Sequence, residues 1–324
     1  MSFGTVRERM NMLRDGRSCI QCYPHPAHPS GMCEVRCGCI VAQPFVKWAG
    51  GKRQILPKLI SLIPDVFGDY YEPFAGGAAL FYALAPVKQS TPYPGTPPRA
   101  TSHPRPWAVL NDTNDLLMNT YQVIQRQVEL VIRELGKFKY DDKLYYDVRA
   151  KFPYGSPVAR AAQMLYLSRV CWNGLWRVNL KGKFNVPIGK YTNPTICDAD
   201  NLRAVSRVLS QATLLCEDFE SVVARAKRGD FVYFDPPYVP VDDNSDFTTY
   251  TKGGFGLDDH KRLRNVALAL KKRGVNVLLS NSDVPAVREL YARGGFKITA
   301  IQAKRSINSK AARRGTSVGE LLIT

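Results

Sequence analysis

The sequence contains no long apolar run. Nowhere do its 324 residues approach the roughly 18 consecutive apolar residues that a membrane-spanning helix needs. The segment from Met1 to Asp15 also lacks the apolar core of a secretory signal peptide. We therefore expect an intracellular, cytoplasmic protein with no membrane partner. Hydrophobic residues nonetheless make up 45% of the chain, which is enough for a buried core and excludes disorder of the whole chain.

Acidic residues are also scarce. The chain has 28 Asp+Glu against 45 Lys+Arg, and the formal net charge of +17 favours a polyanionic partner such as nucleic acid. Residues 148–197 contain no acidic residue, and aromatic side chains lie among their basic ones, which are Arg149, Lys151, Arg160, Arg169, Arg177, Lys181, Lys183 and Lys190. Basic residues neutralise phosphates and aromatic rings stack on bases. A solvated basic face over ordinary core aromatics is the alternative interpretation.

Cysteine is concentrated near the N-terminus. Five of the eight cysteines lie between residues 19 and 39, with His25 and His28 among them. The candidate ligands of a structural zinc ion are Cys19, Cys22, Cys37 and Cys39. The second half of this cluster departs from standard zinc-knuckle spacing, so a zinc-free extension over residues 1–43 stays an open alternative. No other metal site is expected.

Proline marks a second irregular segment. Residues 86–106 are rich in proline, which removes backbone donors and restricts the preceding residue, so we predict a surface loop with neither helix nor central strand. Elsewhere β-rich runs alternate with helical periodicity, which predicts an α/β fold with a mostly parallel sheet covered on both faces. The predicted strands are Tyr70–Phe74, Trp107–Leu110, Phe231–Phe234, Val275–Leu279 and Phe296–Ile301.

The basic stretch interrupts this alternation. We therefore predict an inserted, mostly helical subdomain at residues 136–197, within an α/β domain formed by residues 44–135 and 198–324. Asp198 is the expected N-cap of the helix that follows the insertion.

A carboxylate and two prolines follow one of the predicted strands. Asp235-Pro236-Pro237-Tyr238 comes directly after Phe231–Phe234, and ligands bind at this carboxyl edge in doubly wound sheets. The prolines fix the backbone and remove N–H donors, which leaves carbonyl oxygens and one carboxylate as rigid acceptors. An exocyclic amine can therefore donate to the Asp235 carboxylate and the Pro236 carbonyl together, while Tyr238 stacks on its ring. An ordinary Pro-Pro turn capped by Asp235 fits these four residues equally well.

A glycine-containing turn follows another strand. Residues 72–78 (EPFAGGA) place small residues between a strand and a helix, where a bulky ligand can approach the backbone. The segment is unlike a phosphate-cradling Walker loop, which counts against a kinase or nucleotidase. Asp112 ends the next strand, where its carboxylate can accept from ribose hydroxyls or cap a helix over 113–135. The Gly-Gly pair of residues 48–52 (WAGGK) fits any tight turn when taken alone.

In chain order these segments resemble the Dam-type DNA adenine N6-methyltransferases of the alpha arrangement. Residues 44–52 (PFVKWAGGK) are similar to the N-terminal cofactor motif, 72–80 (EPFAGGAAL) to the glycine-rich cofactor motif and 235–238 (DPPY) to the catalytic loop. Residues 172–191 (WNGLWRVNLKGKFNVPIGKY) resemble the target-recognition hairpin, and 305–309 (RSINS) the C-terminal basic motif. The resemblance implies a Rossmann-like, S-adenosylmethionine-dependent methyltransferase fold with an inserted target-recognition subdomain that carries a β-hairpin. Residues 1–43, the Pro-rich insertion, Trp172 and Trp176 depart from the family's pattern.

The resemblance also implies the roles of individual residues. Those implied near the cofactor are Trp48, Lys52, Glu72, Phe74, Gly76, Gly77, Asp112, Asp218, Phe219 and Asp235. Those implied in catalysis are Asp235, Pro236, Pro237 and Tyr238. Those implied in DNA binding are Lys47, Asn173, Leu175, Arg177, Asn185, Pro187 and Arg305. Arg177 would read a guanine through O6 and N7, Leu175 and Pro187 would contact bases, Asn173 would sit where the duplex opens and Lys47 would reach the outer base.

The implied reaction is methyl transfer from S-adenosylmethionine to N6 of adenine in double-stranded DNA, at GATC, by base flipping and direct displacement. We expect a monomer without an obligatory protein partner, at the nucleoid or in the host cytoplasm if a phage encodes it; a restriction-modification role is open. The alternatives are a DPPY-type amino-methyltransferase acting on cytosine N4 or RNA, and a catalytically silent DNA-binding relative. A zinc nuclease or deaminase is set aside, because the cysteine cluster lacks the His-x-Glu…Pro-Cys-x-x-Cys signature of the zinc deaminases.

Overall fold

One seven-stranded sheet organises the chain. The computed structural model describes residues 41–48, 50–89, 106–179, 181–239, 255–304 and 317–324. The strands are β1 (Tyr70–Glu72), β2 (Ala108–Asn111), β3 (Ala212–Leu215), β4 (Phe231–Phe234), β5 (Asn276–Ser282), β6 (Ile298–Lys304) and β7 (Ser317–Ile323). They lie in the order β3-β2-β1-β4-β5-β7-β6. The first five strands in this order are mutually parallel, and β7 is antiparallel to both of its neighbours. The predicted Rossmann-like α/β fold is confirmed.

Nine α-helices surround the sheet within the described residues. They are α1 (Leu56–Leu62), α2 (Ala79–Gln89), α3 (Asp115–Leu135), α4 (Asp142–Lys151), α5 (Pro157–Val170), α6 (Ala199–Leu209), α7 (Phe219–Val223), α8 (Leu257–Lys272) and α9 (Pro285–Ala292). Short 3-10 helices cover Lys52–Gln54 and Trp172–Gly174. None of these helices combines the length and the apolar character needed to cross a membrane.

The central strands are apolar because helices cover both of their faces. All four residues of β4 are buried, and alternate residues belong to different cores: Phe231 and Tyr233 pack on one face, Val232 and Phe234 on the other. A strand buried on both sides reads as a continuous hydrophobic run, which is why its predicted bounds match those observed. The other predicted strands begin or end one to three residues away, and β3 and β7 were not predicted.

The predicted absence of helix from residues 86–106 is wrong at its start. Helix α2 runs through Pro86 to Gln89. Proline costs this helix one backbone hydrogen bond, but the preceding turns bury Leu80, Phe81 and Leu84 in the core. This packing holds the helix through the proline. Residues 90–105 lie outside the described part of the chain.

Two helix starts bear on the predicted caps. The Asp198 carboxylate accepts from the Asn201 backbone N–H at the start of α6, as predicted. Helix α3 is capped by Asn114, whose side chain accepts from the Leu117 backbone N–H, and not by Asp112. The cap alternative for Asp112 is therefore wrong, which leaves its carboxylate at the sheet edge.

The segment between α3 and α6 carries the predicted helices and hairpin. Helix α5 packs along α3 and is buried over most of its length. A hairpin follows, joined by antiparallel bridges between Cys171 and Ile188 and between Val178 and Phe184. Trp176 lies against the Phe152 and Phe184 rings, with ring centroids 5.7 and 4.7 Å away. These contacts attach the hairpin to the helices beneath it.

Asn111 ties the carboxyl ends of three strands together. Its amide donates to the carbonyls of Pro73 and Glu217, each at 3.0 Å, and accepts from the Glu217 backbone N–H at 2.8 Å.

We expect Asn111→Ala to lower the free energy of unfolding by about 3 kcal/mol, because it leaves buried backbone groups without a hydrogen-bond partner. Urea denaturation measures this, with Asn119→Ala as control, since Asn119 makes one exposed bond to Pro157. Equal losses in both variants would contradict the assignment.

Candidate active site

Three carboxylates meet at one edge of the sheet. Strands β2, β1 and β4 are parallel neighbours, so their carboxyl ends coincide. Glu72 ends β1, Asp112 follows β2 and Asp235 follows β4. The fold therefore brings together residues that are as much as 163 positions apart in the sequence, because register aligns them at the edge where α/β proteins bind ligands.

Asp235 is held by two donors. The Lys52 ammonium lies 2.8 Å from Asp235 Oδ1, and the Ser280 hydroxyl donates to the same oxygen at 2.9 Å. The Lys52 side chain is only 7% exposed and also donates to the Gly50 carbonyl. An ion pair shielded from water in this way is screened little by salt. The alternative in which Asp235 caps the Pro-Pro turn is wrong, since within the described residues its carboxylate contacts side chains of other elements.

The rest of the DPPY loop is anchored from β5, β7 and α8. The Tyr238 hydroxyl donates to Glu320 on β7, and the Lys52 ammonium lies 4.8 Å from the Tyr238 ring centroid. On β5, Asn281 accepts from the Val239 backbone N–H at 3.3 Å and Ser282 donates to the Val239 carbonyl at 2.6 Å. These contacts fix the chain directly after the two prolines.

A buried histidine supports the same loop. His260 on α8 is 2% exposed, lies 3.4 Å from the Asn281 amide through Nδ1 and hydrogen-bonds to the Pro237 backbone. Burial lowers the pKa of His260 to about 4, although Asp259 and the Pro237 bond oppose this shift. The imidazole is therefore neutral at pH 7. Sequence reasoning missed His260, Asn281 and Ser282, whose proximity to the loop arises only in the folded chain.

The glycine turn after β1 is shaped by a tryptophan. Gly76 has φ +47°, and a Cβ added there would lie 2.8 Å from Trp48 Cδ1. The Gly76 N–H donates to Asp112 at 3.1 Å, and the Asn114 N–H donates to the other Asp112 oxygen at 2.9 Å. Burial raises the pKa of Asp112 and these two bonds oppose the rise. Three residues singled out from the sequence therefore meet at this turn, because Gly76 lies against the Trp48 ring and donates to Asp112. Gly77 is the next residue of the turn.

Glu72 is the most deeply buried of the three acids. Its carboxylate accepts from the Tyr70 hydroxyl at 2.9 Å. Burial raises the pKa of Glu72 to about 8; the Asp235 charge adds to the rise, whereas the Tyr70 bond and the Lys52 charge oppose it. Glu72 therefore carries a proton at neutral pH. A cation placed beside it would favour ionisation.

Aromatic rings flank the same edge. Phe74 lies 5.4 Å from Phe219 and 5.4 Å from Phe255, measured between ring centroids. Asp218 caps α7 and accepts from both terminal nitrogens of Arg262, at 3.1 and 2.8 Å, while the Arg262 guanidinium lies 4.4 Å from the Phe219 centroid. The predicted pair 218–219 is thus at the site, and Arg262 and Phe255 join it without having been predicted.

Most of the predicted DNA-binding residues lie on the hairpin, and Lys47 lies beside it. Arg177 is exposed, and its Nε donates to Asn185 at 2.9 Å. Lys47 lies 5.1 Å from the Tyr191 ring centroid, and burial lowers its pKa, with Arg169 adding to the effect. Asn173, in the 3-10 helix, has a left-handed backbone with φ 58°; Leu175 follows that helix, and Pro187 is exposed.

A tryptophan pair connects the hairpin to the glycine turn. The Trp48 and Trp176 rings stack with their centroids 6.1 Å apart. Trp48 also contacts Gly76, so one side chain touches both groups of candidate residues. Arg305 and the four candidate zinc ligands lie outside the described residues, and their roles stay predictions.

Comparisons with known proteins identify the class of enzyme. The fold, with its glycine turn and DPPY loop, is that of an S-adenosylmethionine-dependent methyltransferase. The chain belongs to the family described as D12 class N6 adenine-specific DNA methyltransferase, whose family model matches residues 48–307. The expected family, enzyme class and cofactor are confirmed.

Several relatives are similar to this chain over nearly their whole length. The chain is 40% identical over 291 residues to type II methyltransferase M1.LlaDCHI of Lactococcus lactis subsp. cremoris, covering 87% of this chain and 95% of that one. It is 39% identical over 301 residues to type II methyltransferase M.MjaIII of Methanocaldococcus jannaschii, covering 87% and 98%. It is 32% identical over 287 residues to DNA adenine methylase of Escherichia coli (strain K12), covering 86% and 93%.

The residues at the sheet edge fit the cofactor's chemistry. S-adenosylmethionine combines a sulfonium, an ammonium and a ribose diol with a flat adenine, and it supplies a methyl group already activated for transfer. Glu72, Asp112 and Asp235 offer carboxylates to the positive and hydroxyl groups, and the rings around Phe74 offer apolar surface to the base. At Gly76 a side chain would clash with Trp48, so glycine at this position is what lets the tryptophan pack on the turn.

Proposed function

We propose that this enzyme methylates N6 of adenine in double-stranded DNA at GATC and flips the target base out of the duplex. The observation that carries this proposal is the Asp235 carboxylate, fixed by Lys52 at the carboxyl end of β4 and followed by two prolines. Adenine N6 cannot reach such a pocket while it is stacked in a duplex, so catalysis requires flipping.

The DPPY loop orients the amine by accepting hydrogen bonds from its two N–H groups. The adenine amine is a weak nucleophile, because its lone pair is delocalised into the ring. One N–H donates to Asp235 and the other to the Pro236 carbonyl, which draws charge onto nitrogen and points the lone pair at the methyl group. Tyr238 stacks on the flipped base. Positioning and electrostatics therefore supply most of the rate enhancement, without a covalent enzyme intermediate.

The other two acids and the aromatic rings bind the cofactor in this proposal. Glu72 lies toward the methionine end, with Lys52 and the glycine turn beside it, and Asp112 accepts from the ribose hydroxyls. Phe74 and Phe219 cover the adenine ring, and Asp218 fixes α7 beneath it. The support for these roles is the convergence of the residues at one sheet edge, with Trp48 packed on the turn.

The hairpin reads the DNA sequence in this proposal. Arg177 is exposed and its Nε is used by Asn185, so the terminal nitrogens form a fork of donors suited to guanine O6 and N7. Leu175 and Pro187 contact base edges, Lys47 reaches the outer base and Asn173 occupies the opened duplex. The acid-free stretch around the hairpin supplies basic residues for phosphates.

Asp235→Ala tests the catalytic loop. We expect methyl transfer to fall by at least about 1,000-fold, because the substitution removes the acceptor that orients the amine. DNA affinity should change little. Radiolabelled methyl transfer and duplex binding by fluorescence anisotropy measure both, with the exposed Asp200→Ala as control. Substantial methyl transfer by Asp235→Ala would contradict the catalytic role of Asp235.

Cofactor binding should be linked to proton release from Glu72. The carboxyl has a pKa of about 8 in the free protein, so it is mostly protonated at pH 7. The positive charge of the cofactor lowers this pKa, so binding at pH 7 releases up to about one proton, and the release disappears above pH 8 to 9. Calorimetry in buffers of different ionisation enthalpy measures it. Glu72→Gln should abolish the release; an unchanged release in that variant contradicts the prediction.

Arg177→Ala tests sequence reading. Loss of a bidentate guanine contact should cost about 1–3 kcal/mol of discrimination at one base pair, roughly a 5- to 150-fold change. Methylation rates on GATC duplexes and on single-base variants measure this. Lys181→Ala serves as control, since an exposed phosphate-binding lysine should affect all sequences equally. A uniform loss with Arg177→Ala would show that it binds phosphate instead.

A further inference from the structure

Two protein donors converge on one oxygen of the catalytic carboxylate. Lys52 and Ser280 both contact Asp235 Oδ1, at 2.8 and 2.9 Å. Within the described part of the chain, no hydrogen bond reaches Oδ2. The two oxygens of one side chain are therefore in different environments, and the carboxylate has a single defined orientation.

Ser280 reaches Asp235 because of the strand register. Strands β4 and β5 are parallel, and Phe234 pairs with Leu279, so the residues that follow them lie side by side. Ser280 is completely buried on β5. Its hydroxyl also lies 3.0 Å from the Tyr233 hydroxyl. An ionised carboxylate can only accept hydrogen bonds, so the single O–H of Ser280 donates to Asp235. The Tyr233 hydroxyl must then donate to Ser280.

We propose that Ser280 is a positioning residue for methyl transfer: a hydrogen-bond chain from Tyr233 through Ser280, together with Lys52, holds Asp235 Oδ1 so that Oδ2 faces the target amine. The proposal rests on the function proposed above. Sequence motifs do not point to Ser280, which lies 45 residues beyond Asp235.

The geometry explains why a fixed orientation matters. The amine has two N–H groups in one plane, and they must meet Oδ2 and the Pro236 carbonyl simultaneously for the lone pair to face the methyl group. A carboxylate that turns about its last side-chain bond meets this requirement only part of the time. Donors on Oδ1 stop that rotation without occupying the oxygen that the substrate needs. Chained hydrogen bonds also strengthen one another in a buried site.

Ser280→Ala tests the proposal through the chemical step. We expect the single-turnover rate of methyl transfer to fall about 10- to 100-fold, as expected for the loss of one hydrogen bond to a charged group. The dissociation constants for a GATC duplex and for S-adenosylmethionine should stay within about twofold of wild type. A 2-aminopurine probe at the target position should report unchanged base flipping. Ser280→Thr, which retains the hydroxyl, should recover most of the rate.

Two further variants keep the test decisive. Ser206→Ala also removes a hydroxyl bonded inside the protein, to the Gln125 carbonyl on α3, and should leave the rate unchanged. Tyr233→Phe removes the first donor of the chain without creating a cavity, and should lower the rate by about 2- to 10-fold. If Ser280→Ala lowers the melting temperature too far to assay, Tyr233→Phe carries the test.

Asp235→Asn gives an independent readout of the orientation. Lys52 can only donate, so the amide oxygen must take the Oδ1 position and the amide nitrogen then faces the target amine. Two N–H groups cannot bond to each other, and we expect a rate as low as that of Asp235→Ala. An active Asp235→Asn enzyme would overturn the proposal, because its oxygen would then be facing the substrate.

The outcomes separate this inference from the proposed function. A wild-type enzyme that methylates adenine in the duplex while Ser280→Ala and Tyr233→Phe keep its full rate overturns the positioning role alone. Equal losses of rate, DNA affinity and cofactor affinity in Ser280→Ala overturn it too, since they indicate a general disturbance of the site. A wild-type enzyme that methylates no adenine in any duplex overturns the proposed function itself.

Discussion

The Lys52 ammonium and the Asp235 carboxylate are both withdrawn from water at the edge of the sheet, 2.8 Å apart. Each charge alone would be costly to bury, so each depends on the other. The pair also joins distant parts of the chain, because Lys52 precedes the first strand and Asp235 follows the fourth. Strand register, the 3-10 helix at Lys52 and the Pro-Pro turn must all be formed for the two atoms to meet. The geometry of this ion pair therefore depends on the whole α/β fold.

The parallel sheet places the remaining chemistry around this pair. Glu72 and Asp112 flank Asp235 because β2, β1 and β4 are neighbours. The stacked Trp48 and Trp176 rings place the hairpin against the same edge. In the proposed function, adjoining surfaces would bind the cofactor, the target base and the duplex. Part of the net charge of +17 can now be placed in the structure, because the acid-free residues 148–197 include α5 and the hairpin.

The sequence predicted the features that depend on local pattern. Strand β4 was predicted to the residue because a fully buried strand is a continuous apolar run, and the Asp198 cap because capping is a short-range interaction. Strand β7 was missed because its antiparallel pairing with both β5 and β6 is a tertiary interaction that the local sequence pattern does not show. Ser280, His260 and Glu320 were missed for the same reason: each meets the DPPY loop only through tertiary packing. The prediction that no helix includes Pro86 was wrong because core packing outweighs local helix propensity.

We propose that this site methylates N6 of adenine within GATC. Sequencing that detects modified bases, applied to DNA from methylation-deficient cells that express the protein, reports the base, the atom and the sequence context together. We expect N6-methyladenine at GATC on both strands, and none in cells expressing Asp235→Ala. N4-methylcytosine, N6-methyladenine in an unrelated sequence, or unmodified DNA with a folded protein would contradict it.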